Sequence, residues 1–322
     1  MKILHDIHTH NIFSACCSDE TASTKAFVQR EAEIGNKIFG LSNHIWDERV
    51  AGASPFYAPQ SIALAEEAKE AFRYAPDGLK VLFGAETEFA YHKGILGMSR
   101  EGATHFDYLL IPHGHLHQRN FVMQEIPDAV EMRESIRARI KAACPELPDE
   151  LIGYMMNGLK ERHMTPLMSE IKTDLHAYFA KQLVDSFYAT VEHEDVLAIA
   201  RTLPVSIAHP FAPCGVPSKE HNDILARIDD DTFTDMFTKA AKAGIYIEIN
   251  LGAVLCPDWT LKYNEMIRVM SLAKKAGCQF TFGTDSHKVK TLEEISLSSI
   301  VVDALNFTPD DIAEFVRDGI EE

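Results

Sequence analysis

Short apolar runs recur along the chain, and each of them ends at polar residues. They are "KILHDIHTH", "KIFGLSNH", "LKVLFGAETEF", "FDYLLIPHGHLH", "LPVSIAHP", "GIYIEINLG" and "CQFTFGTDSH". The runs are apolar on both faces, which is typical of strands that helices cover. Between them, apolar residues at helical spacing predict helices over 23–34, 58–74, 231–243, 262–276 and 291–305. Strands that alternate with helices indicate a parallel sheet or barrel.

The stretch 118–201 breaks this alternation. It offers several helical segments instead, among them "DAVEMRESIRARIKAAC", "DELIGYMMNGLKER" and "LMSEIKTDLHAYFAKQLVDSFYATV". We therefore predict one domain over 1–322 with a helical insertion over 118–201. The last residues, "TPDDIAEFVRDGIEE", predict a short closing helix that begins at Thr308 as its cap.

Length and composition narrow the class of protein. A chain of 322 residues suits one α/β barrel better than two domains. Hydrophobic residues make up 46% of it, and no apolar run is long enough to span a bilayer. The first residues lack the basic and apolar regions of a signal peptide, so we expect a soluble, cytoplasmic protein without a membrane partner. The formal net charge of -17 makes polymeric nucleic acid an unfavourable partner.

The cysteines are scattered and show no CxxC spacing. They are Cys16, Cys17, Cys144, Cys214, Cys256 and Cys278. This pattern is typical of reduced thiols and not of a disulfide framework or a cysteine-type zinc site.

Histidines and carboxylates follow the predicted strands at the point where each strand ends. They are His8 and His10 after "KILHDI", His44 after "KIFGLSN", Glu86 after "KVLFGA", the histidines of "PHGHLH", His209 after "PVSIA", and Asp285 and His287 after "QFTFGT". Active sites of α/β barrels lie at this end of the strands. His8 and His10 alternate along one strand, so both point the same way and can reach one ion. Imidazole and carboxylate ligands suit zinc, manganese or iron, and we predict a catalytic metal.

The motifs "DIHTH", "LSNH", "GAETE", "SIAHP" and "GTDSH" resemble those of the PHP (polymerase and histidinol phosphatase) superfamily. They occur in that family's order across nearly the whole chain. The resemblance implies a distorted (β/α)7 TIM-like barrel, a trinuclear metal centre at the C-terminal ends of the strands, and phosphoester hydrolysis.

The resemblance also implies which residues hold the metals. The first metal would take His8, His10, Glu86 and Asp285, and Glu86 would bridge to a second metal held by His209. The second metal needs a further histidine from "IPHGHLH", for which we choose His115 with His113 as the alternative. The third metal would take His44, His287 and Asp19, with Cys16 or Cys17 as competitors in the same loop. Asp6 is expected to orient a ligating imidazole.

The implied reaction is attack on phosphorus by a water that the metals activate. Glu86, His115, His209 and Asp285 would be the catalytic residues. His113 or His117 could supply a proton to the leaving group, unless a metal-bound water does so. Arg49, Arg119 and Lys288 lie close in sequence to ligands and are candidate phosphate clamps. Three divalent ions with three carboxylates leave about +3, so the site is expected to attract a phosphorylated small molecule.

Two other functions stay open. A mononuclear or dinuclear barrel hydrolase that acts on C–N bonds also uses an N-terminal His-x-His and a late aspartate, but such enzymes usually have a metal-bridging lysine. No lysine stands at a strand end before "PHGHLH". A non-catalytic, metal-binding regulatory module is the second alternative. The sequence leaves the ester, the metals and the oligomeric state open.

Overall fold

A parallel seven-stranded sheet forms the centre of the molecule. The computed structural model describes residues 1–115, 117–118, 120–149, 151–152, 173–212, 218–255 and 265–321. The sheet strands are β1 (His5–Asp6), β2 (Ile38–Leu41), β3 (Lys80–Glu86), β4 (Tyr108–Pro112), β5 (Val205–Ala208), β6 (Tyr246–Asn250) and β7 (Phe280–Gly283). Each strand pairs in parallel with the next one along the chain, from β1 to β7.

Hydrogen bonds between the segments at the two edges of the sheet bring β1 and β7 together. The Ile7 N–H donates to the Phe282 carbonyl at 3.2 Å, and the Asp285 N–H donates to the His8 carbonyl at 2.8 Å. The sheet is therefore a nearly closed barrel with helices around it, which confirms the predicted (β/α) barrel.

Helices cover the barrel. The α-helices are α1 (Thr24–Ile34), α2 (Ile62–Glu67), α3 (Arg100–Ala103), α4 (Pro127–Ala143), α5 (Leu175–Glu192), α6 (Glu194–Ala200), α7 (Ser218–Leu225), α8 (Asp230–Lys242), α9 (Leu251–Val254), α10 (Glu265–Lys275) and α11 (Ser298–Leu305). Short 3-10 helices span Ala68–Tyr74, Tyr91–Lys93, Val289–Leu297, Pro309–Asp311 and Glu314–Gly319. In the described part of the chain, no helix is both long and apolar enough to cross a bilayer.

Local signals explain where some of these helices begin and end. The Ser23 side chain accepts the Ala26 N–H at the start of α1, and Gly35 ends this helix in the left-handed conformation with φ 89°. The closing segment differs from its prediction, because it forms two 3-10 helices and no α-helix. Thr308 does begin the first of them, through a reciprocal capping box with Asp311.

The stretch 118–201 contains α4, α5 and α6, and its part over 153–172 lies outside the described residues. Helix α5 buries Leu183 and Phe187 in the same hydrophobic core as the barrel strands. An insertion over 118–201 stays a prediction, with the qualification that α5 covers the barrel between β4 and β5.

A tyrosine fills the barrel interior. Tyr108 on β4 is fully buried, and its hydroxyl donates to the Ile7 carbonyl at 2.6 Å. A Cβ on Gly40 of β2 or Gly84 of β3 would collide with the Tyr108 ring or hydroxyl, so these two glycines make room for it. The end of the barrel at which the strands begin is here called the floor. An antiparallel pair of Lys2–Ile3 with Ile320–Glu321 closes it.

Candidate metal centre

Six chemically active side chains meet at the C-terminal ends of the strands, here called the rim. They form the histidine–carboxylate cluster, which consists of His8 and His10 after β1, His44 after β2, Glu86 at the end of β3, His209 after β5 and Asp285 after β7. All are buried except Asp285, whose side chain is 32% exposed. The parallel topology brings these strand ends together, as the sequence predicted.

Glu86 lies at the centre of the cluster. Its Oε2 atom is 2.9 Å from His44 Nδ1, 3.2 Å from His10 Nε2 and 3.4 Å from His8 Nε2, and its Oε1 atom is 3.0 Å from His209 Nε2. Burial alone would raise the pKa of this carboxyl, but the imidazoles, His44 and His8 foremost, hold it well below its usual value. Glu86 is therefore a carboxylate shared by four imidazoles.

Two imidazole nitrogens of the cluster face each other. His8 Nε2 and His10 Nε2 are 3.0 Å apart, and Asp285 Oδ1 lies 3.5 and 3.2 Å from them. His8 Nδ1 lies 2.7 Å from Glu248 Oε1, so this contact turns His8 Nε2 towards the cluster. Burial disfavours the charged ring, yet Glu248, Asp285 and Glu86 raise the pKa of His8 well above its ordinary value. The carboxylates around His8 therefore favour positive charge at this position, which a proton or a metal ion can supply.

Other nitrogens of the cluster have no hydrogen-bond partner. His44 Nδ1 and His209 Nδ1 are buried and make no hydrogen bond, although His44 Nδ1 is close to Glu86. Buried polar atoms of folded proteins are almost always paired. Unpaired imidazole nitrogens beside carboxylates fit the ligand set of a divalent cation.

The backbone at two cluster positions is strained. His209 has φ 28° and Asp285 has φ 56°, a region that residues with a side chain rarely adopt. Such strain costs on the order of 1–3 kcal/mol and concentrates at functional sites. In this structure it lies at two of the strand ends that carry a ligand candidate, those of β5 and β7.

Among the described residues, four overlapping sets of side chains bring their ligand atoms within 4.8 Å of one another. They are His8, His10 and Glu86; His8, His209 and Asp285; Glu86, His115 and His209; and His10, Cys16 and His287. Of the nine predicted metal ligands, only His44 and Asp19 fall outside these sets, and His44 still contacts Glu86.

Two buried carboxylates that the sequence analysis missed orient the ligand candidates. Glu248 in β6 contacts His8 Nδ1 and also accepts the His209 backbone N–H. Glu88 Oε2 lies 2.6 Å from His115 Nδ1 and accepts a hydrogen bond from the Tyr57 hydroxyl at 3.0 Å. The sequence signal for Glu248 is a carboxylate within the apolar strand "YIEIN", and the signal for Glu88 is the second glutamate of "GAETE".

Asp6 does not orient an imidazole as expected. Its carboxylate accepts the backbone N–H groups of His8 and Thr284 and the Thr284 hydroxyl. Burial raises the pKa of Asp6 to about 7. Asp6 therefore holds β1 against the end of β7, and Glu248 has the orienting contact to His8.

The structure separates the two histidines that the sequence left as alternatives. His113 Nδ1 lies 3.2 Å from the Ser186 hydroxyl, and His113 Nε2 accepts the Phe211 N–H at 3.1 Å. Both of its nitrogens are used, and burial lowers its pKa to about 3. His115 instead reaches the set of Glu86 and His209. His113 is thus poorly suited as a ligand or a proton donor. His117, the other candidate proton donor, is exposed, and the centre of its ring lies 5.2 Å from that of His115.

Cys16 stands where Asp19 was predicted. The Asp19 Oδ1 atom accepts hydrogen bonds from the Thr21 N–H at 2.9 Å and the Thr21 hydroxyl at 2.6 Å, and it contacts no cluster residue. Cys16 Sγ lies 2.9 Å from His287 Nε2. The His287 side chain also lies next to His10, with ring centres 4.6 Å apart.

The candidate phosphate clamps do not contact the cluster. Arg49 is paired with Asp47 at 2.8 Å and with Glu101 at 2.7 Å. Lys288 is exposed directly after His287. Arg119 lies outside the described residues.

A cavity of about 270 Å³ opens beside the cluster. Its lining consists of His209, Ala212, Asn250, Gly252, Ala253, Thr284 and Asp285. The exposed edge of Asp285 connects the cavity to the cluster, so a small ligand in it would lie next to the candidate metals.

Comparisons with known proteins find distant structural likenesses only. No family model and no curated protein matches the sequence. The structure of a histidinol phosphate phosphatase from Lactococcus lactis, complexed with zinc, L-histidinol and phosphate, is 14% identical over 94% of both chains, with a TM-score of 0.47. The catalytic domain of a beta-amylase from Paenibacillus polymyxa is 10% identical over 95% of this chain and 91% of that one, with a TM-score of 0.41. A D-hydantoinase from a Bacillus species is 12% identical over 87% of this chain and 57% of that one, with a TM-score of 0.36. At these identities and TM-scores, none of them assigns a function.

Proposed function

We propose that this protein is a metal-dependent phosphoesterase of the PHP type, which hydrolyses a small phosphorylated molecule at a centre of three divalent ions. The observation that carries the proposal is the position of Glu86, where one buried carboxylate meets four imidazoles and no lysine or arginine in the described part of the chain. Zinc, manganese and iron all accept this mixture of nitrogen and oxygen ligands.

The ligand sets support an assignment of residues to ions. The first ion takes His8, His10, Glu86 and Asp285, and the second takes Glu86, His115 and His209. These residues belong to overlapping sets whose ligand atoms lie within 4.8 Å of one another. For the third ion, the family resemblance implies His287 together with His44, although His44 is in none of these sets. When bound, such ions lower the pKa of a water and neutralise charge on phosphoryl oxygens.

The chain's own residues keep the ligands in position. Glu248 fixes the His8 ring and Glu88 fixes the His115 ring, so each directs its other nitrogen towards the cluster. The Asp285 carbonyl lies 2.8 Å from His287 Nδ1 and fixes that ring in the same way. These contacts remove rotational freedom before a substrate arrives.

The charge of the site favours a dianion. Four buried or half-buried carboxylates touch the ligand set, namely Glu86, Glu88, Glu248 and Asp285. With neutral imidazoles and three divalent ions, the site carries about +2, which one phosphate monoester dianion would balance. The adjacent cavity of about 270 Å³ suits a small substrate better than a polymer.

The C–N hydrolase alternative finds less support. In the described part of the chain, no lysine side chain bonds to a residue of the histidine–carboxylate cluster. A decayed regulatory module is also disfavoured, because the cluster keeps a nearly complete set of converging ligands.

The test is hydrolysis by protein reconstituted with zinc, manganese or ferrous iron. We expect release of phosphate from phosphomonoesters, loss of this activity on chelation, and its return when metal is added. A phosphodiester and a cyclic amide serve as competing substrates in the same assay. Cleavage of the amide alone, or no cleavage by a fully loaded protein, would overturn the proposal.

A further inference from the structure

A cysteine lies within the ligand set at the rim. Cys16 Sγ is 2.9 Å from His287 Nε2, and the ligand atoms of Cys16, His287 and His10 lie within 4.8 Å of one another. His287 Nδ1 donates its hydrogen to the Asp285 carbonyl at 2.8 Å, so His287 Nε2 has a free lone pair that faces the sulfur.

Hydrogen bonds hold the loop of Cys16 in place. The Ala15 N–H donates to the Gln60 side-chain oxygen at 2.8 Å, and the Cys17 N–H donates to the Ser14 carbonyl at 2.9 Å. The Ser14 hydroxyl in turn accepts the His44 N–H at 3.2 Å. The loop is therefore tied both to the segment that precedes α2 and to the cluster itself.

The neighbouring thiol has different surroundings. Cys17 Sγ contacts the His287 backbone carbonyl at 3.2 Å, and its side chain packs against the hydrophobic residues around Phe27 and Leu292. Among the described residues, no imidazole nitrogen lies within hydrogen-bonding distance of Cys17 Sγ. The two adjacent cysteines thus provide a natural pair, one at the ligand set and one packed beside it.

We propose that Cys16 is a thiolate ligand of the third ion, together with His287, at a position that borders the His10 ring of the first ion. This inference rests on the proposed metal centre and replaces Asp19 in it. Without metal, the Cys16 S–H has two acceptors, His287 Nε2 at 2.9 Å and the Ser14 hydroxyl at 3.3 Å. A divalent ion that binds here would displace that proton to solvent as the sulfur–metal bond forms.

A thiolate at one position changes which metals the centre accepts. Soft sulfur ligands select zinc, cobalt or iron, whereas manganese and magnesium prefer oxygen. We expect zinc or cobalt to load all three positions and manganese to load about two, because the position of Cys16 discriminates against it.

The test is loading with Co²⁺ followed by absorption spectroscopy. A thiolate bound to cobalt gives a sulfur-to-metal charge-transfer band in the near ultraviolet, independently of any hydrolysis. We expect this band in the wild type and in Cys17→Ser. Cys16→Ser should lose the band and should also bind about one ion fewer per chain than the wild type. Cys16→Asp is expected to lose the band and keep the ion, since a carboxylate restores a ligand without sulfur.

The outcomes separate this inference from the proposed function. A fully cobalt-loaded wild type without the band, or a band that survives Cys16→Ser, would overturn the role of Cys16 while leaving the phosphoesterase intact. A Cys16-dependent band in a loaded protein that cleaves no ester would keep the thiolate ligand and overturn the proposed function. A protein that binds no cobalt would overturn both.

Discussion

Buried histidines at the floor and at the rim of the barrel differ in how their nitrogens are used. At the floor, His5 Nδ1 lies 3.1 Å from the Gly319 carbonyl and His5 Nε2 accepts the Phe282 N–H at 3.2 Å. At the rim, His209 Nδ1 is buried without a hydrogen bond, and His44 Nδ1 lies 2.9 Å from Glu86 Oε2 without hydrogen-bond geometry. A satisfied histidine contributes to the fold, whereas converging unsatisfied ones form a site that needs an ion.

The acidic groups differ in the same way. At the floor, Asp311 pairs with Lys274 at 3.1 Å, and Lys274 also donates to two backbone carbonyls. At the rim, Glu86 and Asp285 have only imidazoles as partners within the described residues. The floor supplies its own countercharge, and the rim depends on cations that bind to it.

The largest expected effect is that of Glu86→Gln. The neutral amide cannot replace a carboxylate shared between ions, so hydrolysis should fall by roughly three orders of magnitude and at least one ion should be lost. Metal analysis and phosphate release measure the two effects. Asp311→Asn at the floor is the control and should keep both the ions and the activity, although it loses some stability. Wild-type activity in Glu86→Gln would contradict the account.

Glu248→Gln should have the next largest effect, through metal affinity. Loss of the carboxylate that orients His8 should weaken metal binding roughly tenfold to a hundredfold, as for other residues that position metal ligands. Zinc competition with a chromophoric chelator measures it.

Asp6→Asn is the matched control for Glu248→Gln. Asp6 is also a buried carboxylate beside His8, but it contacts the backbone and not the imidazole. Equal losses of metal affinity in the two variants would show that Glu248 acts through general stability.

The pH dependence of the metal-free protein should also separate the floor from the rim. Burial lowers the pKa of His5 to about 4, so His5 stays neutral when folded and the stability it contributes is lost as pH falls from 6.5 to about 4. Burial opposes the charge on His115, but the Glu88 carboxylate raises its pKa to about 9. The stability that His115 contributes is present below 6.5 and is lost as pH rises through 9.

Denaturant unfolding in chelator measures these slopes. His5→Gln should flatten the acid side by up to about 1.4 kcal/mol per pH unit, and His115→Gln should flatten the alkaline side by a similar amount. Unchanged slopes in both variants would contradict the assigned charge states.

The smallest expected effect is that of Lys288→Ala on the KM for a phosphate ester, with Lys274→Ala as its control. Lys288 is exposed at the rim next to His287, and Lys288→Ala should raise the KM for a phosphate ester about fivefold, the loss of roughly 1 kcal/mol from an exposed ionic contact. Lys274→Ala at the floor should lower the unfolding midpoint and leave KM unchanged. Equal KM values in the two variants would remove Lys288 from substrate binding.

The barrel and most ligand candidates could be predicted because parallel strands place their C-terminal ends together. His8, His10, Glu86 and His209 need no more than the order of the strands to meet. Glu248 was missed because its contact to His8 joins residues far apart in the chain, and it depends on how β6 sits against β5 and β7.

The loop after His10 shows a second limit of sequence patterns. Asp19 matched the family's motif by residue type, but Thr21 satisfies its carboxylate and Gln60 holds Cys16 at His287 instead. Which loop side chain lies beside His287 depends on side-chain hydrogen bonds within the loop, and the periodicity of the sequence does not predict these bonds. The closing 3-10 helices were mistaken for an α-helix because both have similar caps.

The most direct test of the central claim is the metal content of protein purified without chelator or affinity metal, measured by inductively coupled plasma mass spectrometry. We expect about three divalent ions per chain in the wild type, with zinc or iron at the position of Cys16, and fewer ions in Glu86→Gln. One ion or none, persisting after reconstitution with excess metal, would contradict it.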